Sequence, residues 1–136
     1  MQLDVVTPRG RLVSEEVEEV TAPGVLGEFG VLPGHIPFLT ALRAGVLRWR
    51  GKEGAGRLAV GPGFVEVAAG DRVVVLTDDG VAANRIDAEA AKRERDEAQA
   101  KLDHWESDDA GVRAEVEARK AWAEARLAAA EENEAH

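Results

Sequence analysis

The sequence predicts a β+α chain: an antiparallel all-β unit, sandwich or barrel, followed by an antiparallel two-helix hairpin. Three observations lead there. Up to Ala83, short apolar segments recur at spacings of about eight to twelve residues, closed by turn residues such as Gly, Pro and Asp. Residues 87–106 contain neither Gly nor Pro and are rich in the strong helix formers Ala, Glu, Lys, Arg and Gln. Charge shifts at the same place, with 11 acidic and 9 basic residues through Ile86 and 15 and 8 from Asp87 onward, so most of the net −9 lies in the second part. The predicted units are therefore 1–86 and 87–136.

Taken in order, residues 3–7 and 12–13 are short strands separated by a Pro8-Arg9-Gly10 turn, and residues 14–22 alternate Glu with Val and Thr as one half-exposed strand. Pro23-Gly24 is expected to stop that strand. In Val46-Leu47-Arg48-Trp49-Arg50, Leu47 and Trp49 fall on one face and Arg48 and Arg50 on the other. Residues 51–56 read as a hairpin loop, and Gly61-Pro62-Gly63, Gly70-Asp71 and Asp78-Asp79-Gly80 separate the remaining strands at 57–60, 64–68, 72–77 and 81–83. Asp87 is a fitting N-cap for the first helix, with Glu89/Arg93 and Glu97/Lys101 as i,i+4 pairs in the favourable order. Ser107-Asp108-Asp109-Ala110-Gly111 breaks the helix, and a second should span about residues 110–132.

The predicted helix seam carries Ala91, Ala98, Leu102 and Trp105 on one side and Val112, Val116, Ala123, Leu127 and Ala130 on the other. Alanine buries little area, and at about 25 cal/mol per Å² such a seam contributes far less than a leucine zipper. The hairpin is expected to be conditionally stable, able to open for a better partner.

The densest stretch is 27–42, where glycines 27, 30 and 34 and prolines 33 and 37 exclude a helix and predict a short strand, a tight corner and a second short strand. Gly27-Glu28-Phe29-Gly30 and Pro33-Gly34-His35-Ile36-Pro37-Phe38-Leu39-Thr40 together resemble, without a gap, the signature of the epsilon subunit of F-type ATP synthase, called delta in mitochondria. Leu3-Asp4-Val5-Val6, Gly45-Val46-Leu47-Arg48 and Val75-Leu76-Thr77-Asp78 extend the likeness, while the last third matches only loosely.

The resemblance implies a flattened sandwich of two antiparallel sheets and a non-catalytic rotor subunit that couples rotation of the c-ring to ATP synthesis. It implies the gamma subunit, the c-ring and the catalytic alpha/beta hexamer as partners, with the chain peripheral on the cytoplasmic face of a bacterial plasma membrane. Glu28, Pro33, Gly34 and His35 become contact candidates for the ring and the shaft. Arg113, Arg119, Lys120 and Arg126 become candidates for a contact with the beta subunit through which the hairpin would restrain ATP hydrolysis. Straightened, a segment of some 45 residues reaches about 70 Å, enough to climb beside the shaft. The family's ATP-binding pattern is only partly kept: Ile86, Asp87 and Ala91 match, Ala90 stands where an arginine is expected, and of an i,i+4 arginine pair only Arg126 remains, with Trp122 in the other place. The expectation is weak or absent ATP binding.

Other chemistry finds little support. His35, His104 and His136 sit on different elements without a second ligand at metal spacing, and no phosphate-binding Gly-x-x-x-x-Gly-Lys-Ser/Thr occurs. Neither a catalytic nor a metal site is predicted, and no cofactor. With no cysteine there is no disulfide framework. The net charge of −9 argues against nucleic acid or anionic lipid as partner, and no apolar run is long enough to span a bilayer, so a soluble chain without a leader is expected. The readings set against the family are a ligand-binding or hydrolytic sandwich, with Glu28 and His35 as acid and base beside Phe29 and Phe38, and a generic adaptor. Taken alone, Glu28 would be a solvated loop carboxylate and His35 a neutral corner histidine bonded to nearby backbone.

Overall fold

Alternating apolar residues and closely spaced turns produce the strands expected of residues 1–86, and a computed structural model describes the chain over residues 1–134. The strands are β1 (Gln2–Thr7), β2 (Gly10–Glu16), β3 (Glu19–Gly24), β4 (Gly27–Val31), β5 (Phe38–Leu42), β6 (Gly45–Gly51), β7 (Gly54–Val60), β8 (Gly63–Ala68), β9 (Arg72–Thr77) and β10 (Gly80–Ala82). A 3-10 turn (Ala83–Arg85) leads into the helices α1 (Ala88–Asp103) and α2 (Ala110–Glu134).

The ladder runs β10-β7-β6-β3-β5-β8-β9-β1-β2, with β4 on β3. Its middle is thin: β3 and β5 share one residue pair, Gly24 with Leu42. That single pair joins two layers, β10-β7-β6-β3-β4 and β5-β8-β9-β1-β2, antiparallel throughout except for β1 beside β9. Val20, Ala22, Leu47, Leu58 and Val60 from one layer meet Leu3, Val5, Val65, Val67, Val73 and Val75 from the other in a single core. Each fully buried aliphatic side chain contributes about 1.5–3 kcal/mol, and this core is the main stabiliser of the sandwich. Trp49 closes one end; its indole N–H donates to Glu15 at 3.0 Å, and Gly56 must lack a side chain because a Cβ there would lie 2.1 Å from the ring.

The single strand expected over 14–22 is two strands. β2 pairs with β1 in one layer and β3 with β6 in the other, so the chain changes layer between them. Val17 at the crossing is buried, exchanging backbone hydrogen bonds with Met1, whose amino group donates to the Val17 carbonyl at 2.9 Å. Nor do Pro23 and Gly24 stop β3. Its ladder to β6 has already ended at Thr21, so the missing proline N–H leaves no bond unmade on that edge. The loop expected over 51–56 shrinks to Lys52 and Glu53 between β6 and β7.

Asp87 caps α1 as expected, its carboxylate accepting from the Ala90 N–H at 3.1 Å. Asp109 does the same for α2, accepting from the N–H groups of Gly111 and Val112. Ala91, Ala98, Val116, Ala123, Leu127 and Ala130 are buried, with Leu102 and Trp105 half-buried, as the predicted seam requires. Val112 does not join them. It lies in the first turn of α2, beside the loop and past the end of α1, and is exposed. α2 also carries a second stripe, Trp122, Ala125 and Ala129, and Ala129 packs on Val46 of β6 and Ala59 of β7 together with Ile86. The hairpin is thereby folded down against the outside of the sandwich.

One buried carboxylate links β1 to its neighbours. A hydrogen bond with Ser14 holds the Asp4 carboxyl below its ordinary value of 3.8, against the opposing effect of burial and with help from Gln2, Arg11 and Arg72. A depressed folded pKa adds stability above the unfolded pKa and loses it as pH falls through the folded one. Asp4→Asn is therefore expected to lower stability at pH 7 by about 1 kcal/mol. The deficit should begin to shrink as pH falls below about 4 and be lost only once pH has passed through the depressed folded value; urea titrations at pH 7 and at a series of pH values descending from about 4 check it, and a deficit that does not change with pH would contradict it.

Candidate functional site

Residues 32–37 form the corner between β4 and β5. Leu32 accepts from the His35 N–H at 3.2 Å, with Pro33 supplying a fixed φ and Gly34 at φ +83, so this turn requires glycine at its third position. The corner pushes apolar side chains outward: Ile36 is 79% exposed and Leu32 more than half. His35 is exposed, its Nδ1 2.9 Å from the Ile36 carbonyl and its ring 5.1 Å from that of Phe38. Glu28, on β4, accepts from Arg48 at 3.0 Å across to β6. Phe29 and Phe38 meet edge to face at 5.5 Å and pack against the core. Thus Glu28 and His35 have separate partners, and the structure does not bring them together as an acid–base pair beside a phenylalanine pocket.

Beyond the corner, the outer face of β5-β8-β9 is apolar. Register sets Ala41, Phe64 and Leu76 side by side, with Leu39, Glu66 and Val74 in the adjoining row. Phe64 is 53% exposed, Leu39 and Leu76 at least half, and with Glu66 and Val74 they line a shallow hollow of about 320 Å³. Contiguous apolar surfaces of this kind are characteristic of interaction sites rather than of solvated faces. The sequence reading missed these residues, although Arg72-Val73-Val74-Val75-Leu76-Thr77 held the signal: apolar residues on both faces of one strand, as in a sheet covered on both sides.

The helix cations are distributed differently. Arg113 pairs with Glu117 at 3.0 Å and Lys120 with Glu124 at 3.7 Å, both within α2. Arg126 is largely buried, stacked 5.4 Å over the Trp122 ring and paired with Glu94 of α1. With Arg119, Lys101, Glu97 and Ala98 these residues line a cleft of about 290 Å³ between the helices. The positions of the ATP motif itself offer a phosphate little: Arg126 is held by Glu94, and Trp122 and Ala90 supply no cation, while Lys101 and Arg119 share the cleft with Glu97. The rest of the ATP motif has structural work: Ile86 packs beside Ala129, Asp87 caps α1 and Ala91 is buried in the seam. Millimolar ATP is accordingly expected to give no saturable heat by calorimetry; low-micromolar affinity would refute this.

Among the described residues no three His, Cys, Asp or Glu side chains are grouped as metal ligands, and no helix is long and apolar enough to cross a membrane. His136 lies outside the described residues.

The chain is thus a β-sandwich with an exposed corner, an exposed apolar sheet face and a helical hairpin folded on its flank. Its sequence identifies the family. Residues 1–83 match the family described as ATP synthase, Delta/Epsilon chain, beta-sandwich domain, and the chain belongs to that family. It is 46% identical over 102 residues to ATP synthase epsilon chain 2 of Syntrophotalea carbinolica, covering 75% of this chain and 73% of that one. Identity to the ATP synthase epsilon chain of Geotalea uraniireducens is 50% over 93 residues, or 68% of this chain and 66% of the relative. Among solved structures, a chain of the Euglena gracilis mitochondrial ATP synthase OSCP/F1/c-ring assembly superposes with a TM-score of 0.78 at 27% identity, over 98% of this chain and 80% of that one. A chain from the Tetrahymena thermophila ATP synthase central stalk/c-ring shares the fold, at a TM-score of 0.69 and 18% identity over 96% of both chains.

Proposed function

We propose that the chain is a non-catalytic rotor subunit of a proton-translocating F-type ATP synthase. In this reading it sits on the cytoplasmic face of a bacterial plasma membrane, joins the gamma subunit to the c-ring, and contacts the alpha/beta hexamer when its hairpin opens. The observation that carries the reading is the apolar face of Leu39, Phe64 and Leu76, next to the exposed corner of Leu32 and Ile36, on a sandwich that matches the delta/epsilon family. The apolar face suits the shaft formed by gamma, and the corner, with Glu28, Pro33, Gly34 and His35, suits the polar loops of the ring. Arg113, Arg119, Lys120 and Arg126 would meet acidic groups of the hexamer only after α2 leaves the sandwich, because Arg126 is engaged by Glu94 while the hairpin is folded down.

Co-purification of the tagged chain with gamma and c-ring subunits tests the assignment, and their absence would reject it. Truncation after Ile86 tests regulation separately: assembly should persist while ATP hydrolysis rises. Unchanged hydrolysis would remove the inhibitory role from the hairpin.

A further inference from the structure

We infer that Asp71 is the positioning residue of the docking corner, fixing residues 32–37 for the contact proposed above; the inference rests on that reading. Asp71 lies in the turn between β8 and β9, distant in sequence from the corner, yet its Oδ1 accepts from the Gly34 N–H at 2.7 Å. The bond is short and charge-assisted, the stronger kind of hydrogen bond. It ties the tip of the corner to the β8–β9 turn, in addition to the chain's own passage from β4 in one layer into β5, which pairs with β8 in the other. The turn around Pro33 and Gly34 fixes its own shape through the bond from His35 to Leu32, and the chain enters the apolar face at β5, but neither holds the tip at Gly34. Asp71 does.

The backbone at Asp71 supports the assignment. Its φ of +54 makes it the non-glycine residue that the described chain holds in the left-handed region, directly after Gly70 at φ +82. A side chain other than Asn or Asp is disfavoured there, and glycine would be relaxed. Its carbonyl meanwhile accepts from the Gln2 N–H at 2.9 Å, so the same residue joins the start of β1 to the corner. The exposed Leu32 and Ile36, which lead into β5 and Leu39, are thereby held in place before binding, lowering its ordering cost.

The left-handed conformation provides an unusually clean test. Asp71→Gly removes the carboxylate without backbone strain, and Asp71→Asn keeps an acceptor oxygen and tolerates the same φ. For Asp71→Gly in the full chain, exchange of the Gly34 amide followed by NMR should accelerate at least about fivefold, affinity for a gamma–c-ring complex lacking this subunit should fall about tenfold, and the thermal midpoint should move by less than about 3 °C. Asp71→Asn should stay within about twofold of the unaltered chain in both exchange and affinity. Unchanged exchange in Asp71→Gly would show that the bond does not hold the corner. Faster exchange with unchanged affinity would overturn the positioning role. If the unaltered chain fails to bind gamma and the c-ring, the rotor reading itself falls, whatever the amide does.

Discussion

Phe64→Glu is expected to reduce binding to the gamma subunit about hundredfold while leaving the free chain folded. Phe64 stands in the middle of the apolar row on the outside of β8, half-exposed, so its replacement opens no cavity in the core. In a complex the new carboxylate would be stripped of water beside Leu39 and Leu76, and close to Glu66, which already places one negative charge on that face. An unpaired desolvated charge costs about 3 kcal/mol or more, which is the hundredfold factor. Titration of the variant against gamma, with thermal unfolding as the control, checks both halves. Undiminished affinity with a native midpoint would mean that gamma does not use this face.

The second large effect is expected at the flank. In Ala129→Glu a charged side chain replaces a methyl group that is completely buried against Val46 and Ala59, on the residue whose carbonyl accepts from Arg57 at 3.0 Å. Overpacking and desolvation together should cost about 3 kcal/mol. An alanine-rich contact has little to set against that, so the hairpin should swing away while the sandwich remains intact. Because the chain has no cysteine, spin labels can be attached to cysteines introduced at the exposed Glu53 and Glu124 alone. Their separation should lengthen and broaden in the variant, with protection of the β-strand amides unchanged. A distance distribution identical to that of the unaltered chain would show that the contact is stronger than its composition implies.

Much of this architecture could be read from local chemistry. The spacing of Gly30, Pro33, Gly34 and Pro37 dictated a short strand, a corner and a short strand; Asp87 announced its own helix, and Ser107 to Gly111 its end. The misreadings have a common origin. Ser14 to Ala22 alternate as a single strand does, and nothing local reveals that the two ends pair in different layers. Trp122, Ala125 and Ala129 were hidden by the stronger heptad-like stripe of Val116, Ala123 and Leu127 beside them. The signal for the missed stripe lay elsewhere, in small apolar residues such as Val46 and Ala59 on the outer face of strands whose alternate positions were already committed to the core. Asp71 was legible as a turn residue, but not as the partner of Gly34, because a contact between two turns leaves no periodicity.

The sequence by itself determined that strands precede helices, the shape of the corner and the family, since each depends on the identities and backbone preferences of a few consecutive residues. The tertiary structure decided which way the hairpin lies, how the corner is tied down, and that Arg126 faces Glu94 across the hairpin. Alanine-rich helix faces bury similar, small areas in many arrangements, so no local preference selects among them. Only the assembled surfaces of the sandwich and α1, meeting both stripes of α2 at once, make one arrangement the stable one.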